Sequence, residues 1–175
     1  MKILVNGIGI IDSGGIKVLE KLLNECISSN ESNEYLIVLS DTELINHLIE
    51  KYKSYDIFIF ETHIFKSYLH RMYFENFKFN NLVKKHNIDL VYNFTSTFQF
   101  FLNRPQLIKV HNLLYYSTKL DNCYIKESKL FLWFKQIFLK RVVFKFMLNQ
   151  SRFIEIQSKH VKDHLADFID IKNKK

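Results

Sequence analysis

Lys2-Ile3-Leu4-Val5-Asn6 leads into Gly7-Ile8-Gly9-Ile10-Ile11-Asp12-Ser13-Gly14-Gly15, and that loop opens the segment Ile16–Ser28. The first five residues are a short, nearly continuous apolar run, the pattern of a strand buried on both faces. The loop holds all 4 glycines of the chain. In the third piece, Ile16, Val18, Leu19, Leu22, Leu23, Cys26 and Ile27 fall on one half of a helical wheel. Lys17, Glu20, Lys21, Asn24 and Glu25 fall on the other half, so this is a surface helix covering a sheet. A buried strand, a glycine loop and an amphipathic helix are the opening of an α/β unit.

The alternation continues along the chain. Tyr35–Leu39 and Asp56–Phe60 read as strands, with a helix over Glu43–Lys51 between them that Asp41 or Thr42 could cap. A long helical region follows around Lys66–His86. Asp89–Asn93 is the next strand. The polar turn Thr95-Ser96-Thr97 and a short apolar helix come after it. Pro105 precedes a strand over Gln106–Val110, and Tyr115–Glu127 reads as a loop. Ser128–Gln150 is the longest predicted helix. Phe153–Ile156 is a strand, and Ser158 is placed to cap a final helix over Lys159–Phe168. Short apolar strands separated by helices predict a doubly wound, mostly parallel Rossmann-like sheet of about six strands with helices on both faces. Residues 1–170 form one expected domain, and 171–175 a polar basic tail. In such sheets ligands sit outside the carboxyl ends of the strands.

Composition narrows the classes. The chain has 175 residues with 47% hydrophobic and 15% aromatic content, 1 Pro, and a formal charge of +7. Apolar content this high excludes disorder, and the Gly and Pro counts exclude collagen-like and low-complexity chains. Two cysteines, Cys26 on the apolar helix face and Cys123 in a polar stretch, make no disulfide framework. The expected setting is therefore cytoplasmic. Asn6, Gly7, Gly9 and Asp12 interrupt the apolar start, so no signal peptide is expected. Leu130–Leu148 carries Lys135, Lys140, Arg141 and Lys145, each costing roughly 3 kcal/mol at a bilayer centre, so it should not span a membrane. Basic residues are scattered, without an Arg-rich stripe or an RNA-recognition signature, so no nucleic-acid partner is expected.

Several catalytic motifs fail on specific residues. Gly7-Ile8-Gly9-Ile10-Ile11-Asp12 departs from G-x-G-x-x-G at its last position, where a carboxylate would repel a pyrophosphate. A nucleotide-binding oxidoreductase is thus a third-ranked reading. No P-loop and no G-x-S-x-G occur. His160 and His164 are one turn apart, but Val161 stands where H-E-x-x-H needs its general base, so no metal site is expected. Ser13-Gly14-Gly15 supports two readings. Its backbone N–H groups could receive an anion, or its glycines could simply allow a tight turn and close helix packing.

The sequence also resembles the N-terminal domain of family 4 glycosyltransferases of the GT-B fold. Three segments carry the resemblance in the right order. The first is strand one with Asn6-Gly7…Gly14-Gly15-Ile16, then Leu19 and Leu22-Leu23. The second is Asp89–Asn93 with Gln106-Leu107-Ile108-Lys109-Val110-His111-Asn112. The third is Phe153–Lys162, a hydrophobic strand, a Ser and a helix. The resemblance implies that Ser13, Gly14 and Gly15 lie near the donor's phosphates. It places His111 at the reaction centre, Thr95, Ser96, Thr97 and Asn112 on the acceptor side, and Asp12 and Ser158 on the cleft rim. A strand-end histidine bonded to backbone is the plainer reading of His111.

The family's second Rossmann-like domain binds the nucleotide sugar and carries a Glu-x7-Glu pair. No two glutamates here are so spaced, and no D-x-D occurs. The implied role is the acceptor-binding half of an enzyme that moves a sugar from a nucleotide donor to a glycan or lipid-linked acceptor. That half would be inactive without a nucleotide-sugar-binding domain or subunit, and would need no resident cofactor. The alternative is a non-catalytic binding or scaffolding subunit that recruits an acceptor or partner chain. Charges scatter around the wheel of Ser128–Gln150, which favours a mostly buried helix with snorkelling lysines. Peripheral contact with an anionic membrane is the competing reading.

Overall fold

The computed structural model describes residues 1–10, 13–28, 32–40, 45–53, 56–60, 68–110, 118, 121–171 and 174. The chain is an α/β protein with parallel strand pairing, of Rossmann-like type. Its residues pack as two compact units, Met1–Thr95 with Gln99–Gln106 and Ser96–Phe98 with Leu107–Lys175.

The first unit contains β1 (Lys2–Asn6), α1 (Ser13–Ser28), β2 (Glu34–Ser40), α2 (Asn46–Lys51) and β3 (Asp56–Phe60). It continues with α3 (Tyr68–Tyr73), a π-helical segment Phe74–Lys78, α4 (Phe79–Lys85) and β4 (Leu90–Asn93). The strands lie in the order β3-β2-β1-β4, all parallel. β1 pairs Leu4 with Leu36 on one side and with Val91 on the other. Successive side chains of a strand point to opposite faces. Leu4 and Val5, and the run Leu36–Leu39, are all buried, so both faces of the sheet are covered. That is why these strands read as continuous apolar runs. On one face Leu4, Leu36, Val38 and Val91 pack with Phe79 and Val83 of α4. In α1, Ile16, Leu19 and Leu23 are buried as the periodicity predicts, whereas Val18 is exposed. α1 and α2 are joined by the Tyr52 hydroxyl, which donates to Asn24 Oδ1 at 2.8 Å.

The second unit contains the Leu107–Val110 part of β5 (Gln106–Val110), α5 (Asp121–Lys126), α6 (Leu130–Trp133), a π-helical segment Phe134–Phe138, α7 (Leu139–Gln150), β6 (Phe153–Ile156) and α8 (Lys159–Ala166). β5 and β6 pair in parallel, Ile108 beside Ile154 and Val110 beside Ile156. Ile108 and Val110 pack with Phe144 and Leu148 of α7 and with Val161 and Leu165 of α8. Lys109 is buried beside its register partner Glu155, and its ammonium reaches that carboxylate at 2.8 Å. α8 starts as predicted: Ser158 is extended and its Oγ accepts from the Val161 amide at 3.3 Å.

Three expectations are corrected. The stretch after Thr97 forms no helix, because side chains satisfy its backbone instead. Asn76 Oδ1 takes the Phe100 amide at 2.6 Å, and Gln106 Oε1 takes the Gln99 amide at 2.9 Å. Side chains from elsewhere in the sequence thus claim amides that a helix would need. Within the predicted loop Tyr115–Glu127 lies α5, which places Cys123 on an exposed helix. Its first residue, Asp121, is held by the Arg141 guanidinium through two bonds of 2.9 Å. The described part of α2 starts at Asn46, and Asp41, Thr42 and Glu43 lie outside the described residues. Finally, the Leu130–Gln150 region is not mostly buried: Phe131, Phe134, Phe138, Leu139, Val142 and Phe146 are exposed.

The Arg141 hydrogen bonds, opposed by desolvation, hold the Asp121 carboxyl below its ordinary value. A carboxylate stabilised in the folded state contributes stability above the ordinary carboxylate range. It loses that stability as pH falls through its lowered value. Asp121→Asn should therefore cost about 1–2 kcal/mol at neutral pH. Its Tm deficit against wild type should close in acid, which thermal melts across pH measure.

Candidate functional site

Chain order reverses at β1 in the first unit. β2 and β3 extend the sheet on one side of β1, and the α3–α4 crossover delivers β4 to the other. Crevices at such a switch point, outside the carboxyl ends of the strands, are where ligands bind in open α/β sheets. The carboxyl ends of β1 and β4 carry Asn6 and Asn93, which are register partners.

Both asparagines are fully buried and fully engaged. Asn6 Nδ2 donates to Glu75 Oε1 at 3.0 Å and to Asn93 Oδ1 at 3.1 Å, while Asn6 Oδ1 accepts from the Ile8 amide. Asn93 Nδ2 donates to Gln106 Oε1 at 3.1 Å, and Gln99 Nε2 donates to Asn93 Oδ1 at 2.9 Å. Glu75 reaches the strands because it lies in the π-helical segment, which buries the neighbouring polar residues Glu75 and Asn76 together. π-helical insertions concentrate at functional sites.

Glu75 in turn fixes a cation. Arg71 Nε and Nη2 both donate to Glu75 Oε1 at 3.1 Å. Nη2 also donates to Thr95 Oγ1, which itself donates to the Ile8 carbonyl at 3.0 Å. The guanidinium lies over Gly9, where any Cβ would collide with Nη1. Gly9 also has φ +92°, a region that L side chains rarely adopt. Its amide donates to Ser40 Oγ, at the end of β2, at 3.2 Å. The loop after β1 is thus pinned from β2, from β4 and from the α3–π segment. The interior members of this chain are sealed from solvent. Arg71 and Thr95 are only partly buried, so they are the members a ligand could touch. Nε and Nη2 are spent on Glu75 and Thr95, so Nη1 is the nitrogen left to meet a phosphate or carboxylate oxygen at the rim of the parallel sheet.

The residues expected from sequence are distributed unevenly around this site. Ser13, Gly14 and Gly15 form the first turn of α1, with Ser13 and Gly14 exposed. Thr95 belongs to the site itself. Ser96, at φ +58°, donates its hydroxyl to the Lys109 carbonyl, and Thr97 is buried, so both serve the second unit's packing. The Ser158 hydroxyl is taken by its helix cap. His111, Asn112 and Asp12 lie outside the described residues. His160 and His164 stack edge to face at 4.5 Å, and no group of three metal-ligating side chains occurs among the described residues. Burial pushes the Cys26 thiol up, which disfavours the nucleophilic thiolate. Sequence reasoning passed over Arg71, Glu75, Asn6 and Asn93. The signals were an Arg–Glu pair at i,i+4 and an Asn closing two apolar strands.

The class defined by fold and site is therefore a Rossmann-like α/β protein with a basic, hydrogen-bonded rim at the first strand's carboxyl end. Compared with known proteins, the chain matches no family model, no curated protein and no solved structure.

Two substitutions test the assembly. Gly9→Ala combines a positive φ with a collision, and should cost about 2 kcal/mol, or roughly 6 °C in Tm. Glu75→Leu removes the acceptor for Arg71 and Asn6. It should cost about 3 kcal/mol or more, read by urea unfolding, because it leaves a mostly buried guanidinium uncompensated.

Proposed function

We propose that the chain is the acceptor-side half of a GT-B glycosyltransferase, its strands belonging to one doubly wound sheet. The observation that carries this reading is the Arg71–Glu75–Asn6–Asn93 chain, which presents Arg71 and Thr95 at the switch point. The order of the three resembling segments supports it as well. The reaction would move a sugar from a nucleotide donor to a hydroxyl of a glycan or lipid-linked acceptor at the cytoplasmic side. A nucleotide-sugar-binding domain, on this polypeptide or another, would hold the diphosphate and stabilise the charge that develops on it. This chain would contribute the first turn of α1 near the phosphates, with His111 close to the transferred sugar. Arg71, Thr95 and Asn112 would contact the acceptor.

A second reading, a recruiting subunit without catalysis, is favoured by the exposed apolar residues Phe131–Phe146. The two separate in one assay. The 175-residue chain alone is expected to show no sugar transfer from nucleotide sugars. Activity should appear when the Glu-x7-Glu half encoded next to it is added, and Arg71→Lys should lower that activity at least tenfold. Turnover by the chain alone refutes the half-enzyme reading. The absence of any such half beside the gene favours the recruiting subunit.

A further inference from the structure

The region Leu130–Gln150 is apolar on two opposite sides. Ile137, Phe144, Met147 and Leu148 form the buried side, with Phe144 and Leu148 in the second unit's core. Phe131, Phe138, Val142 and Phe146 recur at steps of seven, four and four along the other side. They are between 38% and 77% exposed. Phe134 stacks on Phe138 with ring centroids 5.4 Å apart, which extends the apolar surface across the stripe. A helix that is apolar all round is ordinarily buried all round. Here one side stays exposed, and large exposed apolar patches mark interaction surfaces.

The charges choose the occupant. Leu130–Gln150 contains Lys135, Lys140, Arg141 and Lys145 and no Asp or Glu. Arg141 is engaged by Asp121, whereas the three lysines are exposed. On the wheel Lys135 falls within the phenylalanine stripe, and Lys145 lies at its margin with its ammonium over the Phe168 ring at 5.3 Å. Protein interfaces deplete Lys from their cores. A second copy, docked about a two-fold axis, would bring these lysines against their own equivalents. A lipid surface has neither difficulty. Phenylalanine rings enter the boundary between headgroups and acyl chains, and the long lysine stems lead their ammonium groups back to the phosphates. The region is about 30 Å long, and no described helix is long and apolar enough to cross a membrane.

We propose that the outer side of α6, its π-helical segment and α7 is a docking surface for an anionic lipid bilayer, lying in the plane of the interface. This inference does not rest on the glycosyltransferase reading, and either can fail alone. The experiment mixes the 175-residue chain with vesicles of pure phosphatidylcholine, or with about one third phosphatidylglycerol, and measures co-sedimentation. Trp133, the only tryptophan, packs beside Phe138 at 5.5 Å and reports insertion by a blue shift of its emission. Wild type should partition onto the anionic vesicles and far less onto the neutral ones. Phe131→Glu with Phe138→Glu should reduce the partition coefficient at least tenfold. Because both side chains are exposed, thermal melts should stay close to wild type. Lys135→Gln with Lys145→Gln should reduce it about 25-fold, near fivefold per charge. Failure to bind anionic vesicles overturns the proposal. So does equal binding to both vesicle types, or binding indifferent to the phenylalanine variants. A dimer that these variants dissociate, without vesicle binding, assigns the surface to a second copy instead.

Discussion

The first unit depends on the side chain of Asn6. It ends the central strand of that unit's sheet and is fully buried, so every polar atom of its amide needs a partner. Those partners come from three directions: Glu75 on the π-helical segment, Asn93 at the end of β4, and the Ile8 amide in the glycine loop. An unmade bond here costs the desolvation of the abandoned group, roughly 1–3 kcal/mol and more for a charged one. The arrangement therefore behaves as a unit. The loop cannot shift without stranding Asn6, and Asn6 cannot be satisfied unless the π-helical segment delivers Glu75. Once delivered, Glu75 supplies the negative charge that lets Arg71 lie mostly buried over Gly9. Glycine is required there for two reasons, its φ and its missing Cβ, and the second follows from where the guanidinium lies.

This shapes what the site can do. Asn6, Asn93, Glu75 and Gln99 are the most polar part of the unit, yet they are sealed and already bonded to one another. Their effect on a ligand is indirect, through the orientation they impose on Arg71 and Thr95. Arg71 has lost most of its rotamer freedom before any ligand arrives, so little ordering cost remains at binding. A lysine could not be fixed in this way. It lacks the planar fork that spends Nε and Nη2 on Glu75 and Thr95 while Nη1 lies over Gly9.

How much was legible in the sequence follows from the range of the interactions involved. The strands Lys2–Asn6 and Tyr35–Leu39 were readable because parallel strands buried on both faces need uninterrupted apolar residues. Ser158 was readable because a helix cap is settled within three residues. The helix expected after Thr97 failed because Asn76, more than twenty residues away, claims the Phe100 amide, and no local propensity carries that information. α5 was missed for the same reason: its first residue is held by Arg141, twenty positions on. Arg71 and Glu75 stand at i,i+4, a spacing shared by ordinary surface pairs on helices. Only the π-helical turn, which hydrophobic periodicity does not register, rotates Glu75 inward.

Leu130–Gln150 was misread for a different reason. A helical wheel of this region shows no polar side, which in a water-surrounded protein means burial. The rule assumes that water is the only solvent. Phe144, Met147 and Leu148 obey it, because strand residues Ile108 and Val110 and helix residues Val161 and Leu165 are there to receive that side. Phe131, Phe138 and Val142 remain exposed and stand among lysines with no acidic residue in the region. Burying their side chains against protein would desolvate the Lys135 ammonium that stands among them. Leaving them in water forfeits the transfer energy of several large apolar side chains. An interface that is apolar below and anionic above resolves both costs at once, so a helix apolar on two opposite sides signals two different environments rather than one core.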